Sequence, residues 1–306
     1  VYHLYYYRWP RRLGHNAWVT HSEVAHAVGT NLFGPFRHRD VALPARGAQW
    51  WDGLCTHNPT VRKFGSRYFL YYMGNTGDGV AMCTLNWTHR NRQRVGVAVA
   101  DHPNGPRERF DRPLIEPTPG FHDALAATNP TITDGPGGGL LMVYKAIGDR
   151  RPLPFGGLVV HCVALADRPE GPFEKQPGAI FTREGVVFPA EDPYRLAQGP
   201  TLPGAGEGQC RSFHRPGPVD RDVRARRRPE WRPASAPLVA TTELTWEDGV
   251  VQRRYSLERP QWYFENGRPA ALLFAADENP RREHSFNVRV PVEVGPSAEL
   301  MMGQTP

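Results

Sequence analysis

The chain has 306 residues, 40 % apolar and 11 % aromatic, which is enough for a sizeable core and too apolar for global disorder. Its net charge of +6 rests almost wholly on arginine, the only lysines being Lys63, Lys145 and Lys175; no basic helix accompanies it, which argues against a nucleic-acid partner. No run approaches the roughly 18 apolar residues of a membrane helix, so no membrane partner is expected.

In chain order, the sequence opens on a strand-like run, Tyr2-His3-Leu4-Tyr5-Tyr6-Tyr7. It starts in mid-pattern and without Met, and so reads as a fragment that lacks its preceding strand and any targeting peptide; localisation stays open between secreted and cytoplasmic. A small-residue strand, Val24-Ala25-His26-Ala27, then leads to a Gly34-Pro35-Phe36 turn. The polar motif His57-Asn58-Pro59-Thr60 follows, then a Gly65 turn and the strand Tyr68 to Tyr72. Val97 to Ala100 with Gly105-Pro106 repeats the small-residue strand and its turn. The series recurs as Thr128-Asn129-Pro130-Thr131, Gly139 to Tyr144, and Val163 to Ala166 with Gly171-Pro172. It returns as Glu191-Asp192-Pro193-Tyr194 and as Glu258-Arg259-Pro260-Gln261 with Gly267 to Phe274.

The motif prolines are 71, 63 and 67 residues apart, and the Gly-Pro pairs keep step at 71 and 66. A unit of about 67 residues made of short strands, repeated in phase, predicts an all-β chain forming a five-bladed β-propeller. The first blade is incomplete, and residues 1–306 form a single domain. Between Arg195 and Glu230 the pattern fails: Arg, Pro and Gly crowd the stretch and apolar alternation is lost. The spacing from Pro193 to Pro260 is an ordinary 67, so this damaged fourth blade reads as a compensated frameshift rather than an insertion. The cysteines Cys55, Cys83 and Cys162 lie in mostly apolar runs and read as buried thiols; none of the four forms a C-x-x-C pair, so no metal site is expected.

Proline lacks an N–H and suits a strand start or a sheet edge, and the innermost strand of a propeller blade is an edge. The motif residues Asn58, Asn129, Glu191, Asp192, Glu258 and Arg259 are therefore expected at strand starts around one channel. Asp52 and Glu243 join them as carboxylates near predicted blade tops, and His57 as a candidate for proton transfer. Trp50, Trp51, Trp246 and Trp262 flank the motifs and offer aromatic faces either to a ligand or to blade packing. Arg259 reads best as the intramolecular partner of Glu191 or Glu258.

The repeat, with Trp51-Asp52-Gly53-Leu54-Cys55-Thr56-His57-Asn58-Pro59-Thr60-Val61 and Tyr71-Tyr72-Met73-Gly74-Asn75-Thr76-Gly77-Asp78, resembles the five-bladed propeller glycoside hydrolases. That superfamily holds the family 43 arabinanases and xylosidases and the family 32 invertases. The resemblance implies a cofactor-free glycosidase with a carbohydrate substrate, acting as a monomer. It implies Glu191 as general acid, since Glu191-Asp192-Pro193 aligns with the family's Glu-Gly-Pro, and Asp52, Glu258 and His57 as further catalytic candidates. Asn58, Asn129, Asp192, Arg259, Trp51 and Glu243 become candidate substrate contacts. Asn129 stands where the family has Asp, and the family's blade-one base would precede Tyr2. A non-catalytic carbohydrate-binding propeller and a His-dependent glycosidase or lyase are the alternatives.

Overall fold

The computed structural model describes residues 1–135, 138–190 and 240–292, with the backbone alone at 214–215 and 232–233. The chain divides into two compact units, Val1–Glu191 and Asp192–Pro306.

The first unit is three antiparallel sheets. Strands β1 (Tyr2–Arg8), β2 (Glu23–Gly29) and β3 (Phe36–Leu43) form the first, in that order. The second is β4 (Cys55–Phe64), β5 (Arg67–Asn75), β6 (Arg94–Ala100) and β7 (Glu108–Arg109). The third is β8 (Ala126–Asp134), β9 (Leu140–Ile147), β10 (Val159–Ala166) and β11 (Glu174–Lys175), again in chain order. Two short helices, α1 (Trp18–His21) and α2 (Trp87–Asn91), sit in the loops after β1 and β5. The turn between β8 and β9 is closed by the Gly135 N–H donating to the Gly139 carbonyl at 2.6 Å.

In the second unit, β12 (His214–Arg215) pairs with β13 (Arg232–Pro233), and β14 (Glu243–Thr245) with β15 (Val251–Arg253). A three-stranded sheet follows: β16 (Ser256–Glu265), β17 (Arg268–Asp277) and β18 (Ser285–Pro291). Of the anomalous stretch from Arg195 to Glu230 only β12 is described; the rest, with Glu191, Asp192, Pro193 and Cys210, lies outside the described residues.

Each described motif proline does lie on an edge strand, but not at its start. Pro59, Pro130 and Pro260 are each the fifth residue of β4, β8 and β16. The register of each strand slips there, between His57 and Thr60, Thr128 and Thr131, and Glu258 and Gln261. The residue before each proline is left-handed, with φ of 51° at Asn58, 50° at Asn129 and 56° at Arg259. The motif is therefore a β-bulge. A bulge leaves one residue out of the ladder, so proline's missing N–H costs no hydrogen bond, and asparagine tolerates positive φ better than most residues.

Consecutive sheets of the first unit bury both faces. Along β5, Leu70 and Tyr72 pack with Val24 and Leu43 of the first sheet. The alternate residues Phe69 and Tyr71 pack with Met142, Tyr144 and Cys162 of the third. Period-two alternation with two dry faces explains why β5 reads as an unbroken apolar run. Burial pushes the Cys55 and Cys162 thiols up to about 12. Cys83, expected to be buried, is exposed in the loop after β5. The second unit has its own core of Leu244, Leu257, Leu272, Phe274, Ala276 and Val288. Among the described residues no helix is long and apolar enough to cross a membrane.

Close packing leaves no room beside Trp51. A Cβ on Gly96 would lie 2.5 Å from Trp51 Cη2 and 3.0 Å from Tyr72 Cζ. Gly96→Ala is expected to cost about 1–3 kcal/mol through overpacking, read as a lowered urea midpoint. A second prediction concerns His26, fully buried on β2 and stacked on Tyr5 at 4.7 Å. Burial, aided by the Arg107 charge and only partly opposed by Asp40, lowers its pKa to about 4. The unfolded chain then binds this proton at higher pH than the folded one. Stability is full above pH ~6.5 and falls on the order of 2–3 kcal/mol as pH drops toward 4. Denaturant titrations of wild type and His26→Gln across pH 4–7 should show the variant losing that acid limb.

Candidate functional site

The bulges of β4 and β8 face one another. Asn58 Nδ2 donates to Asn129 Oδ1 at 2.6 Å, and the Thr128 hydroxyl donates to the same oxygen at 2.9 Å. Thr60 Oγ1 donates to the Pro130 carbonyl at 3.3 Å. Both asparagines are buried. Two motifs 71 residues apart in sequence thus meet through their side chains.

His57 begins the first motif. Its Nδ1 lies 2.6 Å from Ser22 Oγ, a buried hydroxyl at the end of α1. The Thr56 N–H donates to the Ser22 carbonyl at 3.0 Å, which ties the α1–β2 junction to β4. Around the imidazole stand Tyr7 at 3.9 Å, Trp18 at 5.2 Å and Trp9 at 6.0 Å between ring centroids. Trp9 and Trp18 are half-buried, and Tyr7 stacks on Trp9 at an interplanar angle of 13°. These rings form one continuous aromatic wall beside the motif. Sequence reasoning took Tyr2 to Trp9 only as a strand and passed over Trp18 and Ser22. The available signal was Trp9 two residues after Tyr7, a spacing that places both on one face of an extended chain.

Asp52 lies elsewhere. It is fully buried, with Oδ1 2.6 Å from Arg46 Nε, and Oδ2 accepting from the Tyr72 hydroxyl at 2.6 Å and lying 3.4 Å from Arg109. The third sheet repeats this arrangement. Asp123 is fully buried, accepts from the Tyr144 hydroxyl at 3.0 Å and lies 2.6 Å from Lys175 Nζ. Each aspartate precedes its motif asparagine by six residues, each tyrosine is on the second strand, and Arg109 and Lys175 are on the fourth. Recurrence in two sheets marks a brace that ties the entry to the first strand to the second and fourth. Trp51 is half-buried: it stacks on Tyr72 at 5.8 Å, and its indole N–H donates to the Phe110 carbonyl. Trp50 packs under the Arg46 guanidinium at 4.4 Å.

The loop after β5 is a closed polar network. His89 Nδ1 is 2.7 Å from Asn75 Oδ1, and the Gly79 N–H donates to Nε2 at 2.8 Å, so the ring is neutral with its proton on Nδ1. Burial lowers its pKa, opposed by Asp78. Asn86 caps α2 by accepting from the His89 N–H at 3.2 Å.

In the second unit Glu258 pairs with Arg282, which also lies 3.2 Å from Asp277. Burial alone would lower the Arg282 pKa, but the Glu258 and Asp277 carboxylates outweigh it and raise it. Glu243 is exposed on β14, and Trp246 and Trp262 pack against that unit's core. Among the described residues no three His, Cys, Asp or Glu side chains are arranged to hold a metal ion.

Removing the brace carboxylate strands its cations. Asp52→Asn is expected to cost about 3 kcal/mol, the low end for a broken buried pair because Arg46 and Arg109 retain some water contact. Tyr72→Phe should cost about 1–2 kcal/mol. Equilibrium unfolding measures both, and ligand binding by the folded fraction should be unchanged.

No family model and no curated protein sequence matches the chain. Solved structures do. Zg3597, a family 117 glycoside hydrolase of the marine bacterium Zobellia galactanivorans, matches with a TM-score of 0.52 at 16 % identity over 99 % of this chain and 89 % of that one. An α-L-arabinanase from Cellvibrio cellulosa matches with a TM-score of 0.52 at 15 % identity, over 90 % and 87 %. An α-L-arabinofuranosidase from Lactobacillus brevis gives 0.51 at 11 % identity, over 96 % and 88 %. The likeness is one of fold: the chain has the all-β fold of these β-propeller glycoside hydrolases.

Proposed function

We propose that the chain is a glycosidase built as one five-bladed propeller over residues 1–306, cleaving a glycosidic bond by acid–base catalysis without a cofactor. The observation that supports it best is the Asn58–Asn129 hydrogen bond. It brings two proline motifs together at bulged edge strands, beside an aromatic wall suited to a sugar ring, in a fold that glycoside hydrolases use. In sequence, Glu191 holds the first position of the third motif, the place of His57, Thr128 and Glu258. Glu191 is the proposed general acid. His57, oriented by Ser22, meets a sugar hydroxyl or passes a proton, and Asn58, Asn129, Asp192 and Arg259 line the substrate channel. Asp52 and Trp51 stand in the proposal as braces, and Tyr7, Trp9 and Trp18 take over the stacking role. Hydrolysis needs one protonated and one ionised carboxyl group whose pKa values are held apart.

A second reading, a carbohydrate-binding propeller without catalysis, draws on the same bond. Asn129 and Asn58 are both neutral amides, and an amide supplies no charge to raise a neighbouring acid's pKa.

Glu191→Gln separates the two. On an unactivated glycoside the variant should lose about 10²–10⁴-fold in rate. The loss should shrink on an aryl glycoside whose leaving group needs little protonation, and oligosaccharide binding should persist. Unaltered turnover by the variant removes Glu191 from the mechanism. Binding by wild type without turnover of any glycoside leaves the second reading standing.

A further inference from the structure

The loop that carries the aromatic wall also carries unspent positive charge. From Trp9 to Ser22 it holds Arg11 and Arg12 and no acidic residue. The Trp9 indole N–H donates to the Gly14 carbonyl at 3.1 Å, closing a tight loop with a 3₁₀ turn, Arg11–Leu13, at its tip. The turn is held by the Leu13 N–H on the Pro10 carbonyl and the Gly14 N–H on the Arg11 carbonyl, each at 3.0 Å. Arg11 and Arg12 are exposed there, and neither guanidinium has an ion-pair or hydrogen-bond partner among the described residues. Arg8, between Tyr7 and Trp9, is by contrast neutralised by Glu23 at 2.8 Å. His15 meets Trp9 edge-on at 5.9 Å.

An unpaired arginine pair pinned to a stacking tryptophan is chemistry for a ring that bears an anion. The indole face takes the apolar face of the sugar, and the planar guanidinium takes a carboxylate or sulfate ester in paired hydrogen bonds. We propose that the loop from Trp9 to Ser22 is a subsite for an anionic sugar residue, with Arg11 and Arg12 as the groups that select it over a neutral one. The proposal rests on the carbohydrate reading above and adds the charge of the substrate.

The test is calorimetric, on the full chain. The ligands are an oligogalacturonide, its carboxyl-reduced neutral counterpart and a sulfated galacto-oligosaccharide. At low ionic strength an anionic ligand should bind about tenfold more tightly than the neutral one, or 1.4 kcal/mol. Arg11→Gln/Arg12→Gln should abolish that preference without moving the thermal midpoint, and the Lys/Lys variant should keep part of it. Whichever anionic ligand shows the larger gain identifies carboxylate or sulfate as the group recognised. Equal affinity for anionic and neutral ligands, or a preference that survives in the Gln/Gln variant, overturns the subsite and leaves the carbohydrate reading intact. Failure of every oligosaccharide to bind overturns both.

Discussion

A left-handed residue ahead of a proline, on a strand that has a neighbour on one side only, is the constraint on which the site depends. In β4, β8 and β16 the ladder slips by one residue at this point. The extra residue bends the strand and re-aims its side chain away from the pleat. At the bulges of β4 and β8, Asn58 and Asn129 reach each other. A straight edge strand would leave its N–H groups open to another chain; a proline-marked bulge blunts the edge and frees a polar side chain in one step.

The rest of the first unit supplies rigidity to that point. β5 buries Leu70 and Tyr72 on one face and Phe69 and Tyr71 on the other, so the sheet directly behind the first bulge is packed on both sides. The Asp52–Tyr72–Arg109 and Asp123–Tyr144–Lys175 braces then fix the entry to each edge strand six residues before its asparagine. Buried charge is an expensive way to hold a loop, and leaving either partner alone costs more still. The glycines Gly74 and Gly96 belong to the same device, because Trp51 fills the space that a side chain at either position would need.

Much of this was legible in the sequence, and the gaps have a common cause. The proline spacing identifies edge strands because proline's missing N–H is a local property. It does not identify the bulge, since a strand start and a bulge both excuse that N–H. Asp52 read as a site carboxylate because an aspartate beside a polar motif looks the same whether it faces water or two arginines. Its pairing with Arg109, 57 residues on, is set by tertiary packing. The tryptophans nearest the motif in sequence, Trp50 and Trp51, pack against Arg46 and Tyr72, while Trp9 and Trp18, from a different sheet's loop, reach His57. Distance along the chain was the wrong measure where strands from different blades meet.

The two variable positions of the motif obey different rules. The residue before proline must hold positive φ, and the two that face each other are both asparagine. Arg259 holds φ 56° without that tolerance, at a cost of order 1–3 kcal/mol. In the three described copies the residue one place earlier lies in a strand without positive φ and carries no such demand. There the copies diverge: His57, Thr128, Glu191 and Glu258 put three different groups at one position, an imidazole, a hydroxyl and, twice, a carboxyl. Backbone geometry conserves the frame of each motif and leaves the adjacent side chain unconstrained. That is the position at which a repeated fold can place different chemistry from each blade.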